Sequence, residues 1–147
     1  LVTSTWSSKA THSAGQVLVL VNQRRAAGAT CGGVAFPAVP ALVKDDRLRE
    51  AARCHSLDMA VNNYFSHTSR DGRSFVTRIK AEGYPTARSE NIAAGNTTAQ
   101  ATFTQWMNSA GHKRNILDCT AKDMGVGAAT NSRATYRTYW TQDFGRG

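Results

Sequence analysis

Two of the four histidines stand where they could do chemistry. His67 lies in Phe65-Ser66-His67-Thr68 and His112 in Ser109-Ala110-Gly111-His112, each among small polar residues and outside any regular helical stripe. Glu90, in Arg88-Ser89-Glu90-Asn91-Ile92, stands at the entry to a candidate strand. A carboxylate and two imidazoles brought together by a fold can bind a transition metal or move protons as general acid and base. The three are far apart in the chain and lack a local signature such as HExxH, so spacing alone does not join them. His12 precedes the first expected helix and reads as a surface residue. His55 falls on an apolar helical face and reads as a hydrogen-bonded core histidine. Ser66 and Ser109 each neighbour a histidine, yet neither sits in a GxSxG-type elbow, so the case for a serine nucleophile is poor.

Cys31, Cys54 and Cys119 allow one bridge and one leftover thiol. Cys31 adjoins Gly32-Gly33 in a loop and Cys119 follows a helix end, whereas Cys54 lies inside a helical pattern, where a thiol behaves as a small hydrophobe. Cys31–Cys119 is the favoured pair, with Cys54 free and inert; three reduced thiols in a cytosolic protein are the alternative. No CxxC is present to support a zinc knuckle or a thioredoxin-type motif.

The elements that must position these groups show in the periodicity. Ser13 with Gln16 forms a capping-box pattern ahead of Val17, Leu18 and Val21, predicting a helix from Ser13 to about Arg25. A Gly/Pro-rich loop follows through Val43. A second helix is expected from about Asp45 to Asn63, with Leu48, Ala51, Ala52, His55 and Met59 on one face. A third runs from Ser74 to Glu82, stopped by Gly83 and Pro85. Thr97 with Gln100 repeats the capping box and opens a fourth through Trp106 and Met107. Asn91 to Ala94 adds a short strand. Met124–Ala129 and Tyr136–Phe144 read as an antiparallel hairpin turning at Asn131-Ser132-Arg133. Tyr136, Thr138, Trp140, Gln142 and Phe144 share one face of it, and Arg137, Tyr139, Thr141 and Asp143 the other. Helices first and a hairpin last argue for an α+β domain. Residues 1–15 are expected to form an N-terminal extension and 16–147 the single domain.

With 147 residues, 41% hydrophobic and 19% charged, the chain is globular in composition and long enough for a core. Its longest uncharged stretch, Ala26 to Val43, is broken by three glycines and two prolines and does not read as a membrane span. The net charge is +8, an excess that attracts phosphates, anionic head groups or acidic polymers. Outside Asp45–Arg49 the tight basic doublets are Arg24-Arg25 and Lys113-Arg114, which is no nucleic-acid arm and no polybasic anchor. The opening at Leu1 without methionine, followed by Thr3-Ser4-Thr5-Trp6-Ser7-Ser8, fits a processed secretory protein.

Taken in order, several stretches resemble the CAP superfamily (cysteine-rich secretory protein, antigen 5 and pathogenesis-related 1), also called the SCP domain, and its bacterial secreted branch in particular. They include Asn22-Gln23-Arg24-Arg25, Leu48 through Ala60, Phe65-Ser66-His67-Thr68, Glu90-Asn91-Ile92-Ala93, Trp106 through His112, Asn115-Ile116-Leu117, Gly125-Val126-Gly127 and Tyr139 through Gly145. The likeness runs from Gln16 to Gly145. It implies a three-layer α–β–α sandwich with a small antiparallel sheet and a central cleft, lined in the family by two histidines and acidic residues that in some members bind zinc or another divalent cation. Position by position these are His67, His112 and Glu90, with Ser109 and Gln142 as further cleft residues and His67 and His112 as metal ligands. Eukaryotic members usually supply a second glutamate where this chain has Asn108-Ser109, which leaves two neutral imidazoles and one anion. A hydrogen-bonded cluster that merely orders the cleft is the alternative to a metal site.

The function expected on this basis is a secreted, monomeric, non-enzymatic binding module for a lipid, a sterol or an anionic cell-surface component, with antimicrobial or host-interaction roles in the family's range and no specific nucleic acid as partner. The alternative is a metal-dependent hydrolase acting on peptides, in which His67 and His112 hold the cation and Glu90 is the general base.

Overall fold

The computed structural model describes residues 7–147. Helix α1 spans Ser8–Ala26 and starts earlier than the Ser13 capping box predicts. Ser7 is the cap, its side chain accepting from the Ala10 amide, and Ser13 lies buried within the helix. The expected boundary at residue 15 therefore falls inside α1, and His12 is an exposed residue of that helix. The Gly/Pro-rich segment is not all loop. It holds a small hairpin of β1 (Ala29–Cys31) and β2 (Val34–Phe36), then β3 (Val43–Lys44). Helix α2 (Asp46–Asn62) is capped by Asp45, which accepts from the Arg47 and Leu48 amides. It ends at Asn63 in the left-handed region (φ 52°), which turns the chain back along the helix.

Ser74 caps α3 (Phe75–Ala81). Strand β4 (Ala87–Ala94) is longer than expected. Helix α4 (Ala99–Met107) is capped by Thr98, one residue beyond the predicted Thr97. His112 lies in a short helix, α5 (Ala110–Ile116), that its glycine and polar neighbours conceal in the sequence. The final hairpin is β5 (Asp123–Thr130) and β6 (Thr138–Gly145), with Tyr136 in the turn rather than in the strand.

The sheet order is β3-β5-β6-β4, antiparallel except for the parallel β3–β5 pair. Residues 139–145 of β6 are buried on both faces, as a middle layer requires. On one face Met124, Val126, Trp140 and Phe144 join Val17 and Val21 of α1, Trp106 of α4 and Ile116 of α5. On the other, Ala129, Tyr139 and Ile92 meet Met59 and Ala60 of α2, and Leu48 and Ala51 pack with Ile79 of α3. These are the expected three α–β–α layers, with Trp106 and Trp140 both in the core. The α2 layer seats directly on glycines. A Cβ at Gly125 or Gly127 would collide with the backbone of Arg49 or Arg53. Cys31 and Cys119 form the expected disulfide, and Cys54 is free, its thiol pushed up to about 11 chiefly by burial.

Candidate functional site

Because successive residues of a strand face opposite ways, β4 sends Glu90 toward the α2/α3 layer and Asn91 toward α4 and α5. Each organises its own half of the site. His67 reaches Glu90 from the segment after α2, and that segment is tied down twice. His55 Nε2 donates to the Ser66 carbonyl at 2.8 Å, and Arg78 Nη2 donates to the His67 carbonyl at 2.5 Å. His67 Nδ1 then lies 2.9 Å from Glu90 Oε1. A carboxylate oxygen accepts, so Nδ1 carries a proton in this bond.

Glu90 is fully committed. Arg78 grips it with two bonds, Nη1 to Oε2 at 2.8 Å and Nη2 to Oε1 at 3.0 Å, and both side chains are almost wholly buried. Across the ladder it is registered against Asp143, which is completely buried. Burial pushes the Asp143 carboxyl well above its ordinary range, and the Glu90 charge adds to the shift. Asp143 is therefore the neutral, protonated member of the pair, lying beside an ionised Glu90. Burial pushes Glu90 upward too, but hydrogen bonds from His67 and Arg78, the protonated Asp143 alongside and the Arg78 charge outweigh it and hold Glu90 at about 2.

On the other face, Asn91 is the hub. Its amide donates to the His112 carbonyl at 3.1 Å and to Gln142 Oε1 at 3.0 Å, and its oxygen accepts from Asn115 Nδ2 at 2.8 Å. This pins α5 to β4 and brings His112 near enough to His67 for their charges to repel. Burial first, and that repulsion second, lower the pKa of His112, so its ring is neutral near pH 7.

His67 thus bonds Glu90 directly, and α5 brings His112 up to the same strand through Asn91. Two other predicted cleft residues do not join them. Gln142 is fully buried and its amide is spent on Asn91 and Met124, so it supports the site from beneath. Ser109 is the N-cap residue of α5, with no side-chain capping bond. Sequence reasoning missed Arg78 and Asp143. The signal for Asp143 was a carboxylate between Gln142 and Phe144, the one charged residue of its strand. Arg78 offered none, since its helix shows only a short basic turn.

The residues do not make a good metal centre. Zinc takes three or four donors; here two imidazoles face one carboxylate already held by an arginine and a histidine. No group of three His, Cys, Asp or Glu among the described residues is arranged to hold a cation.

Beside this cluster opens a wider feature, a groove of about 1010 Å³ next to the Cys31–Cys119 bridge. Arg24, Arg88, Lys113 and Arg114 line it, against the single acid Asp118, which Arg88 pairs at 2.6 Å. Arg25, the other half of the first basic doublet, is not on the surface. It is fully buried and donates to the carbonyls of Pro40, Ile116, Asp118 and Ala121, fastening the floor of the groove.

Residues 18–144 match the CAP family, described as the cysteine-rich secretory protein family. The uncharacterized protein YkwD of Bacillus subtilis is 39% identical over 102 residues, covering 68% of this chain and 37% of that protein. The chain thus spans little more than a third of that relative's length. Among solved structures, an extracellular protein containing a SCP domain from Bacillus anthracis superposes with a TM-score of 0.77 at 28% identity, over 99% of this chain and 45% of that one. An outer surface protein of Borrelia burgdorferi shares the fold, with a TM-score of 0.73 at 16% identity over 90% of this chain and 92% of that one. With the family match covering most of its length and the three layers in place, the chain belongs to the CAP family.

Proposed function

We propose that this chain is an extracellular binding module that docks on phosphate-bearing anionic material at a cell surface, and that it is not a hydrolase. The observation that carries the reading is the groove beside the disulfide, where four basic side chains face one acid that is already paired. The net charge of +8 acts in the same direction at longer range. The description of the Bacillus anthracis neighbour as extracellular supports the location, and a disulfide suits an oxidising compartment. Lipid head groups and phosphate-rich wall polymers share the chemistry the groove would recognise. The hydrolase alternative needs a free carboxylate as base, and neither oxygen of Glu90 is free.

Co-sedimentation with vesicles of phosphatidylglycerol in phosphatidylcholine tests the reading. Binding should be strong at low ionic strength and fade as salt screens the groove. Lys113→Gln with Arg114→Gln should weaken it tenfold or more, at about 1 kcal/mol per basic residue near a charged surface. His112→Ala should leave it unchanged. Equal binding by the double variant and the parent would refute the groove as the docking site.

A further inference from the structure

The β1–β2 hairpin carries an apolar surface that the core does not use. Residues 32–38 are all exposed, and none of the seven has a polar side chain. Val34 is 57% and Phe36 44% exposed, and Pro37 and Ala38 follow them. Single exposed apolar residues are ordinary, whereas a contiguous run of them marks an interaction site.

The run is held in place from three sides. Gly32 and Gly33, both at positive φ, make the two-residue turn of the hairpin. Cys31 ties β1 to Cys119. At the root, the Val39 amide donates to the Arg25 carbonyl, and Arg25 Nε donates to the Pro40 carbonyl. Across the ladder Val34 stands opposite Cys31 and Phe36 opposite Ala29, and opposed residues of an antiparallel pair project to the same side. Val34 and Phe36 therefore lie on the hairpin face that carries the disulfide. Ala29 and Cys31 also line the basic groove. An apolar rung and four cations thus adjoin. The one acid lining the groove, Asp118, is paired with Arg88, and residues 26–43 carry no charge. Nor does either strand of the hairpin have a further strand beside it among the described residues. Sheet edges are usually guarded by charge; this one is not.

We propose that the hairpin enters the surface of an anionic phospholipid bilayer, with Val34 and Phe36 among the upper acyl chains and Arg24, Arg88, Lys113 and Arg114 on lipid phosphates. The proposal rests on the groove reading and narrows its ligand, because a phosphate-rich wall polymer offers nothing apolar for the rung to bury against. Depth is set by the backbone. The outer edge of β2 has N–H and C=O groups that need water or head groups, so the hairpin lies in the interface and does not cross it.

The test compares two probes, vesicles of phosphatidylglycerol in phosphatidylcholine and a soluble glycerol-phosphate oligomer. Val34→Ser with Phe36→Ser changes two exposed side chains, so the thermal midpoint should hold. This variant should bind the vesicles at least tenfold more weakly than the parent and the oligomer equally well. Phe36→Trp supplies a second reading. Relative to the parent, its emission should move to the blue on vesicle binding and be quenched by lipids brominated in their acyl chains. Equal vesicle binding by the double serine variant and the parent, or Phe36→Trp emission unmoved by bound vesicles, would refute the insertion alone. A parent that binds neither probe would refute the groove reading and the insertion with it. A lipid-free dimer of the parent, dissolved by the same serines, would assign this edge to a second copy of the chain and overturn the proposal.

Discussion

At Glu90 and Asp143, two buried carboxyls side by side are driven in opposite directions, one ionised and one neutral, and the difference lies in what else each touches. Glu90 is bonded by Arg78 and His67, whereas the Asp143 carboxyl is completely buried with no hydrogen-bond partner among the described residues and lies beside the Glu90 charge. The signs of the pH dependence follow. Glu90, depressed to about 2, favours folding above the ordinary carboxylate range, and that contribution is lost as pH falls from there toward 2. Asp143, raised, acts the other way. The folded chain keeps a proton the unfolded chain gives up, so stability is lost as pH climbs above the ordinary aspartate range. Asp143→Asn, which mimics the neutral acid, should therefore be more stable than the parent near neutral pH, with the advantage shrinking toward about pH 4, as read by urea denaturation at both. A loss of equal size at both would contradict the protonated assignment. Histidines 67 and 112 and Glu90 were legible in the sequence through the family likeness, because they sit in short distinctive stretches. Arg78 was not, because nothing in a seven-residue helix says that one of its arginines will be buried against a strand.

Elements rather than single side chains set the distances in the site. The register Glu90↔Asp143 and the neighbouring Asn91↔Gln142 pair depend on β4 and β6 staying aligned, and α2, which carries His55, seats on β5 at Gly125 and Gly127. Gly125 and Gly127 make that approach possible by leaving out a side chain, since neither has a positive φ. Gly125→Ala should cost about 3 kcal/mol or more by overpacking against the α2 backbone, measurable as a lower urea midpoint. An unchanged midpoint would mean that α2 can move away from the sheet without penalty. The major helices and the final hairpin were readable because they carry apolar stripes and turn residues. Helix α1 began five residues early because Ser7 caps it in place of Ser13. The β1–β2 hairpin went unseen because three-residue strands carry too few alternations to show a period.

For the molecule as a whole, charge and cross-linking converge on one side. The Cys31–Cys119 bridge joins residues 88 apart in sequence, and both cysteines line the basic groove. Reducing it should lower stability by about 4.6 kcal/mol on the chain-entropy account, seen as a drop in thermal midpoint with reductant, and should loosen the groove as well. An unchanged midpoint would show that the bridge constrains little. The +8 balance fits the proposed anionic partner, but where the charge concentrates could not be read from the chain. One residue of the Arg24-Arg25 doublet turns inward, while Arg88, remote in sequence, joins Lys113 and Arg114 across the fold. The most direct test of the proposed function is a chemical-shift map of the labelled protein titrated with a soluble glycerol-phosphate oligomer. The account predicts shifts concentrated at Arg24, Arg88, Lys113, Arg114 and the 29–32 segment, fading with salt. Shifts confined to the His67 and His112 imidazoles, with the groove silent, would contradict it.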